Sequence, residues 1–290
     1  MAPAPHIWQK PRIFQGVGQG VGQGVGQGVG TGPMNEIAET QVQSAWALAA
    51  MLAGAPAFEA HLTAHLGLVL SGEASADLNM LFLWSPHGLP SLAAALARAK
   101  ERGLPLLLVT HPDLRDPSEA ETTSFGLTPI ARPLPLMVLD DLSQKPRQSA
   151  VEVRPVREAA EARATTGLIH AAFALPRDLI QRTLEPSLGS HSDCRTFIAW
   201  RRGEAVSSVT VTGRGPRVGL WSMATAPHHQ GRGYGGELLK AVIDRLHREG
   251  CRRIYLHATE AGLPLYRRLG FRSLAEQSVW LSEPSGSLHG

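Results

Sequence analysis

The chain has 290 residues, 43% of them hydrophobic and 18% charged, with a formal charge of +3. That suits a globular protein of about two ~150-residue domains. No apolar run approaches the ~20 residues that span a bilayer, which excludes an integral membrane protein.

Residues 1–33 carry Lys10 and Arg12 and no acid, and Gln15 to Gly30 is QGVG repeated four times. So many glycines lose too much entropy on ordering for the few side chains to repay, so a Gly-rich disordered tail is expected over 1–33. Met1 and Met34 are both open as the start of translation. No apolar leader with a small-residue cleavage site is present, and the only cysteines are Cys194 and Cys251. Neither a secretory signal nor a disulfide framework is expected, and the compartment reads as cytoplasmic.

From Met34 the pattern alternates helix and strand. Residues 36–53 place Ile37, Val42, Ala45, Leu48 and Leu52 at helical spacing. Strands are predicted at 67–71 and 79–84, and a helix at 92–101 with Gly103 as its C-cap. The continuous apolar run 105–110 is a buried strand, and 117–124 has helical potential. The segment 126–140, GLTPIARPLPLMVLD, reads as a strand pair. The polar residues 142–150 read as a linker, which sets a first domain at 34–145 and a second at 151–283.

The second half opens with a strand at 151–154, then helices at 157–173 and 177–184. Strands at 196–200 and 205–212 are joined at Arg202-Gly203-Glu204, a hairpin signal. A strand at 218–225 leads through a glycine-rich turn into a helix over 235–249, capped by Gly250. A strand at 253–257, a helix at 261–269 and a strand ending near 281 complete the order. The first half repeats it: SPHGLPSLAAALARAKERGLPLLLVT parallels APHHQGRGYGGELLKAVIDRLHREGCRRIYLHAT. The expectation is a divergent internal repeat whose first copy lacks the glycines.

Charge divides unevenly. Residues 34–150 hold 7 Lys/Arg against 12 Asp/Glu, and 151–290 hold 19 against 13. A basic second half suggests an anionic ligand there, with an excess too small to imply nucleic acid. The segment that fits is Gln230-Gly231-Arg232-Gly233-Tyr234-Gly235-Gly236, between a strand and a helix. Unpaired N–H groups and the helix dipole favour an anion at a helix start, glycines let the backbone approach it, and Arg232 adds a charged donor. The loop ends in Gly-Gly-Glu rather than Gly-Lys-Ser/Thr, which argues against a P-loop. The strand after it ends without the acid a dinucleotide fold needs.

Gln230-x-x-Gly233-x-Gly235 after a strand, followed by Leu265-Tyr266 and Gly270-Phe271, resembles the GNAT acyltransferase superfamily over roughly 151–282. The resemblance implies an α/β fold with a mixed sheet, built of two GNAT-like domains of which the first is degenerate. It implies acetyl-CoA, or another acyl-CoA, as donor. Gln230 to Gly236 would hold the diphosphate, and Met223, Ala224 and Thr225 would pair with the pantetheine amides. Tyr266 would be the general acid for the leaving thiolate. Thr259 and Gly262 stand where many members carry Asn and Ala, which removes one expected cofactor contact.

The expected reaction is N-acetylation of a small-molecule amine by direct attack, with no metal. The other readings are a non-catalytic acyl-CoA-binding or regulatory module, marked by the lack of an acceptor channel, and a protein N-acetyltransferase, marked by an open acidic groove. No nucleic acid, membrane or defined oligomer is implied.

Among the remaining polar residues, adjacent His228 and His229 read as a solvated turn, since neighbours do not share a face, with His228 a weak candidate base. His257 reads as a polar strand end, Glu260 as a turn residue or water-mediated base, and Glu204 as solvated. Phe173, Asp178, His191 and Asp193 are candidates to line the acceptor site. Trp221 and Met223 should alternate with Leu220 and Ser222, so that one pair lines the acyl pocket. Arg267 and Arg268 are candidate phosphate contacts, and the cysteines small hydrophobes.

Overall fold

A computed structural model describes residues 33–143, 150–189 and 193–283. The QGVG tail, the middle of the expected linker and His191 lie outside the described residues. The first half contains α1 (Pro33–Leu52), β1 (Glu59–Leu62), β2 (Leu66–Leu70), β3 (Asn79–Leu83), α2 (Leu89–Glu101), β4 (Leu106–Thr110), α3 (Glu119–Phe125), β5 (Leu127–Pro129) and β6 (Leu134–Leu139). The second contains β7 (Glu152–Pro155), α4 (Ala159–Phe173), α5 (Arg177–Thr183), β8 (Cys194–Arg201), β9 (Glu204–Thr212), β10 (Arg217–Thr225), α6 (Tyr234–Arg248), β11 (Arg253–His257), α7 (Leu263–Arg268) and β12 (Arg272–Ser282).

Local chemistry sets several boundaries. Ser118 and Glu121 exchange hydrogen bonds in a capping box that starts α3, and Gly126, in the left-handed region at φ +60°, ends it. Helix α6 is strongly amphipathic: Leu238, Leu239, Val242, Ile243 and Leu246 are buried on one stripe.

Twelve strands form one mixed sheet in the order β1-β2-β3-β4-β12-β6-β11-β10-β9-β8-β7, with β5 on the side of β12. Among the described residues only β3–β4 and β10–β11 pair in parallel. At the centre, β12 and β6 are adjacent, and the last strand of each half lies next to the other half's parallel pair. Segment 126–140 is not a hairpin. Both β5 and β6 pair antiparallel with β12, against Trp280–Ser282 and Arg272–Gln277 respectively. They therefore run in the same direction, as two segments of one line interrupted at Ile130–Pro133. The eleven residues of β12 are long enough to hold both, so β5 and β6 satisfy their backbones there rather than on each other.

Alternation along the strands feeds three cores. On one face a core lies under α6 (Val209, Leu220, Leu238, Ile254, Phe271) and another under α2 (Leu68, Leu81, Leu96, Leu108). The opposite face has a single core drawn from both halves, including Leu48 of α1, Phe82 of β3, Ile169 of α4, Ile180 of α5 and Ile198 of β8. Tyr255 of β11 donates to the Gln43 carbonyl of α1 at 3.0 Å, and Arg182 of α5 pairs with Glu73 at 3.0 Å. Residues from Ile37 onward accordingly form one compact unit.

Candidate active site

Strands β10 and β11 pair only at Arg217–Gly219 against Arg253–Tyr255. Beyond Gly219, β10 continues through Leu220–Thr225 with no partner on that side, so the two strands part into a wedge. Backbone groups along its edge are left available. On the other side of β10, the register with β9 slips between Trp221 and Ala224, and Ser222 adopts φ +48°. This bulge changes the expected alternation. Leu220 and Met223 face the α6 core, and Trp221 and Ala224 face the shared core. An inserted residue moves everything after it to the other face, which simple period-two reading cannot see.

The glycine loop lies at the open end of the wedge. Gly231 and Gly233 have φ +73° and +85°, and a Cβ at either would meet nothing within 4 Å. They are there for backbone conformation, and they leave the loop surface uncovered. Gly235 has the opposite reason: its Cβ would lie 2.9 Å from Met223 Cε and 3.1 Å from Thr225 Oγ1. The absence of a side chain lets the first turn of α6 sit against the end of β10. Gly236 faces Leu265, whose Cδ1 would be 3.6 Å from an added Cβ. Gln230 donates from Nε2 to the Thr225 carbonyl at 3.2 Å, bracing the loop on β10. Arg232 is exposed, whereas the Tyr234 ring is buried, with the Arg201 guanidinium 5.1 Å above it. Tyr234 thus offers a ligand only its backbone.

Tyr266 is buried on α7, one residue from Leu265, with Phe271 edge-on at 5.6 Å. Its hydroxyl has no hydrogen-bond partner among the described residues. Burial raises its pKa to about 12, so the phenol keeps its proton at neutral pH. A Cβ at Gly262 would lie 2.8 Å from Tyr266 Cε2. Gly262 thus leaves room for this ring.

On the opposite face of the wedge is a residue that sequence reading discounted. His257, at the end of β11, lies 6.0 Å from the Trp221 ring and 6.1 Å from Phe82. Its Nε2 is 2.9 Å from Gln277 Oε1 and donates there, leaving the buried Nδ1 lone pair without a partner. Burial lowers its pKa to about 4. Gln277 Nε2 and both amide atoms of Gln41 on α1 are also buried and unpartnered. Unpaired buried polar atoms are costly, so several on one face suit a polar ligand. A lone histidine at a strand end gave no signal in sequence, because Phe82 and Gln277 come from remote strands.

Other expected residues are occupied elsewhere. Glu260 is exposed and ion-paired with Arg132, and Asp178 pairs with Arg182 at 2.9 Å. Phe173 is exposed, as are Asp193, Arg267 and Arg268. Glu204 is not merely solvated. His228 Nε2 approaches its Oε1 at 3.0 Å and His229 Nε2 at 3.2 Å. The two histidines do share a direction, because the short 3₁₀ turn Pro227–His229 brings their ring centroids to 4.2 Å. Both cysteines are buried, and desolvation raises the Cys194 thiol to about 12. Among the described residues no helix is long and apolar enough to cross a membrane.

Residues 165–271 match the family model described as the acetyltransferase (GNAT) family. A GCN5-related N-acetyltransferase from Kribbella flavida is similar in fold, with TM-score 0.59 and 20% identity over 86% of this chain and 97% of that one. A putative GNAT-family acetyltransferase from Novosphingobium aromaticivorans gives TM-score 0.54 and 18% identity, covering 82% and 97%. A tandem GNAT protein from the clavulanic acid biosynthesis pathway gives 0.54 and 16%, covering 86% and 96%. No curated protein matches the chain.

Proposed function

The chain belongs to the GNAT superfamily through residues 165–271, and from that premise we propose that it transfers an acetyl group from acetyl-CoA to the amine of a small molecule. The observation that carries this reading is the parting of β10 from β11 after three paired residues, with an uncovered glycine loop at its open end.

The donor supplies an acyl group already activated as a thioester. Backbone N–H groups of Gly231, Gly233, Gly235 and Gly236 bind its diphosphate at the start of α6, with Gln230 holding the loop and Arg232 adding charge. Met223, Ala224 and Thr225 offer strand-like pairing to the pantetheine amides along the unpaired edge. A backbone N–H there that faces the carbonyl oxygen stabilises the oxyanion by ~3–4 kcal/mol. Tyr266 keeps the proton at Oη that the leaving thiolate requires. Neither cysteine has an exposed, low-pKa environment, so the amine attacks directly.

His257 binds the amine rather than deprotonating it. Moving a proton from a lysine-like ammonium (pKa ~10.4) to an imidazole of pKa about 4 is uphill by roughly 9 kcal/mol. The neutral Nδ1 lone pair accepts a hydrogen bond from the incoming N–H, and the free amine is taken from solution; after attack the nitrogen releases its extra proton to solvent, and Tyr266, having given its own proton to the departing thiolate, is reprotonated from solvent. The polar atoms of Gln41, His257 and Gln277 lie on the face covered by α1 and α4, which favours a small acceptor over an extended peptide.

The first half reads as a copy that lost its site. There the parallel pair stays zipped, with Met80–Leu83 matching Leu107–Thr110 and His111 N–H reaching the Leu83 carbonyl at 2.9 Å. Gly88 at the start of α2 packs on β3, where a Cβ would meet Leu83 Cδ1 at 2.7 Å. Among the described residues of this half the parallel pair does not part.

The test has two arms. Calorimetry with acetyl-CoA and CoA should give one site on the full chain, lost on Gly233→Val. Thiol release from acetyl-CoA should accelerate with at least one member of a panel of amines, amino acids, aminoglycosides and peptides. Absence of coenzyme binding refutes the donor assignment. Binding with no amine-dependent thiol release refutes the enzyme and leaves a coenzyme-binding module.

A further inference from the structure

The β9–β10 register brings three metal-ligating side chains together beside the glycine loop. Ser207 pairs with Thr225, and Ala226 N–H reaches the Val206 carbonyl, so Glu204 at the start of β9 lies across from the turn that follows β10. That turn carries His228 and His229. The Nε2 atoms of both approach the same carboxylate oxygen, Glu204 Oε1, at 3.0 and 3.2 Å, and the three ligand atoms lie within 4.8 Å of one another.

These distances fit ligands around a common centre. Zinc binds imidazole nitrogen at ~2.0–2.1 Å and carboxylate oxygen at ~2.0–2.2 Å, so neighbouring ligand atoms of a tetrahedral site sit ~3.3 Å apart. A second, independent observation separates this from a surface ion pair. His229 is only 7% exposed, and neither of its ring nitrogens has a hydrogen-bond partner. Its Nε2 lies 3.2 Å from Glu204 Oε1, on the side of the turn that faces the other two groups. A buried imidazole with two unsatisfied nitrogens is costly, and coordination satisfies one of them.

We propose that Glu204, His228 and His229 bind a divalent transition metal of the zinc class. Two imidazoles and one carboxylate suit Zn²⁺, and Co²⁺, Ni²⁺ or Cu²⁺ as substitutes, whereas Mg²⁺ and Ca²⁺ require oxygen-rich shells. His228 is 66% and Glu204 56% exposed at the side chain, so the open side of the site admits water as the remaining ligand. The site is a clamp rather than a second reaction centre. It ties the β8–β9 turn to the chain immediately before Gln230, and the His229 ring lies edge-on to Tyr234, the first residue of α6, at 5.6 Å. Metal binding therefore fixes the entry to the glycine loop from outside it.

The test uses the full chain without an affinity tag, stripped with a chelator and titrated with Zn²⁺ against a chromogenic competitor. One equivalent should bind, Mg²⁺ and Ca²⁺ should not compete, and Co²⁺ should give the intense visible bands of a four-coordinate site. Glu204→Gln and His228→Ala change surface side chains and leave the fold intact. Each should weaken Zn²⁺ binding at least tenfold, and His229→Asn should abolish it. Absence of stoichiometric binding, or affinity that changes less than threefold in both Glu204→Gln and His228→Ala, overturns the assignment.

Discussion

Tyr266→Phe is the substitution that isolates the proposed acid. It removes one hydroxyl that has no partner among the described residues and leaves the ring against Phe271 and Gly262. Folding stability should therefore stay within ~1 kcal/mol of the parent. Positioned general acids contribute typically ~10²–10⁴-fold, so kcat should fall by about that factor, while calorimetric affinity for acetyl-CoA should change less than twofold. The raised pKa gives a second readout. A tyrosine at its ordinary value near 10 would lose half its acid form at pH 10, whereas a phenol held at about 12 by burial stays protonated. The parent should show no loss of kcat between pH 7 and 10 attributable to this group. A Tyr266→Phe enzyme with kcat within threefold of the parent would remove the phenol from the reaction. A tyrosine-dependent fall in kcat with a midpoint near pH 10 would refute the burial argument.

Three further outcomes follow from the same geometry. Gly235→Ala pushes a methyl to 2.9 Å from Met223 Cε, whose flexible end can swing away, and to 3.1 Å from Thr225 Oγ1, which must shift by a few tenths of an ångström; the strain should stay near the low end of ~1–3 kcal/mol, and calorimetry should show a reduced coenzyme affinity. Gly262→Ala brings a methyl to 2.8 Å from the Tyr266 ring, so it should lower kcat with little change in coenzyme affinity, which steady-state kinetics and calorimetry together read out. His257 has its pKa lowered to about 4 by burial, so its neutral form contributes stability present above pH ~6.5 and lost as pH falls through 4. In denaturant unfolding at pH 7 and pH 4, His257→Asn should lose less stability than the parent by up to ~3 kcal/mol, and equal losses would disprove the depressed value.

Most of the second half was legible in sequence because its signals are local. The QGRGYGG loop, the stripe of Leu238, Leu239, Val242 and Leu246, and the spacing of Tyr266 and Phe271 each lie within one element and its caps. What sequence missed depends on pairing between remote segments. The bulge at Ser222 exchanges the faces of Met223 and Ala224, and no residue type announces it. The partnership of His257 with Gln277 needs β6 to insert between β11 and β12. The convergence of His228 and His229 on Glu204 needs the β9–β10 register. Segment 126–140 has the composition of a hairpin, but the turn chemistry at Ile130–Pro133 could not say that β12 would serve both strands.

The two parallel pairs differ in how far they stay paired, and the difference is met by contacts between the halves. In the first half β3 and β4 match over four residues and the following helix packs on them through Gly88. That pair keeps a continuous hydrogen-bonded ladder. In the second half β10 and β11 give up that ladder after Gly219 to open the wedge, and lost backbone pairing has to be offset elsewhere. The first half supplies the offset: β6 pairs along β11 from Leu136 to Leu139, and α1 covers the far face, with Glu39 on Arg217 and Gln43 on Tyr255. The strand that forms the wall of the wedge is thus held on its other edge by a segment more than a hundred residues away.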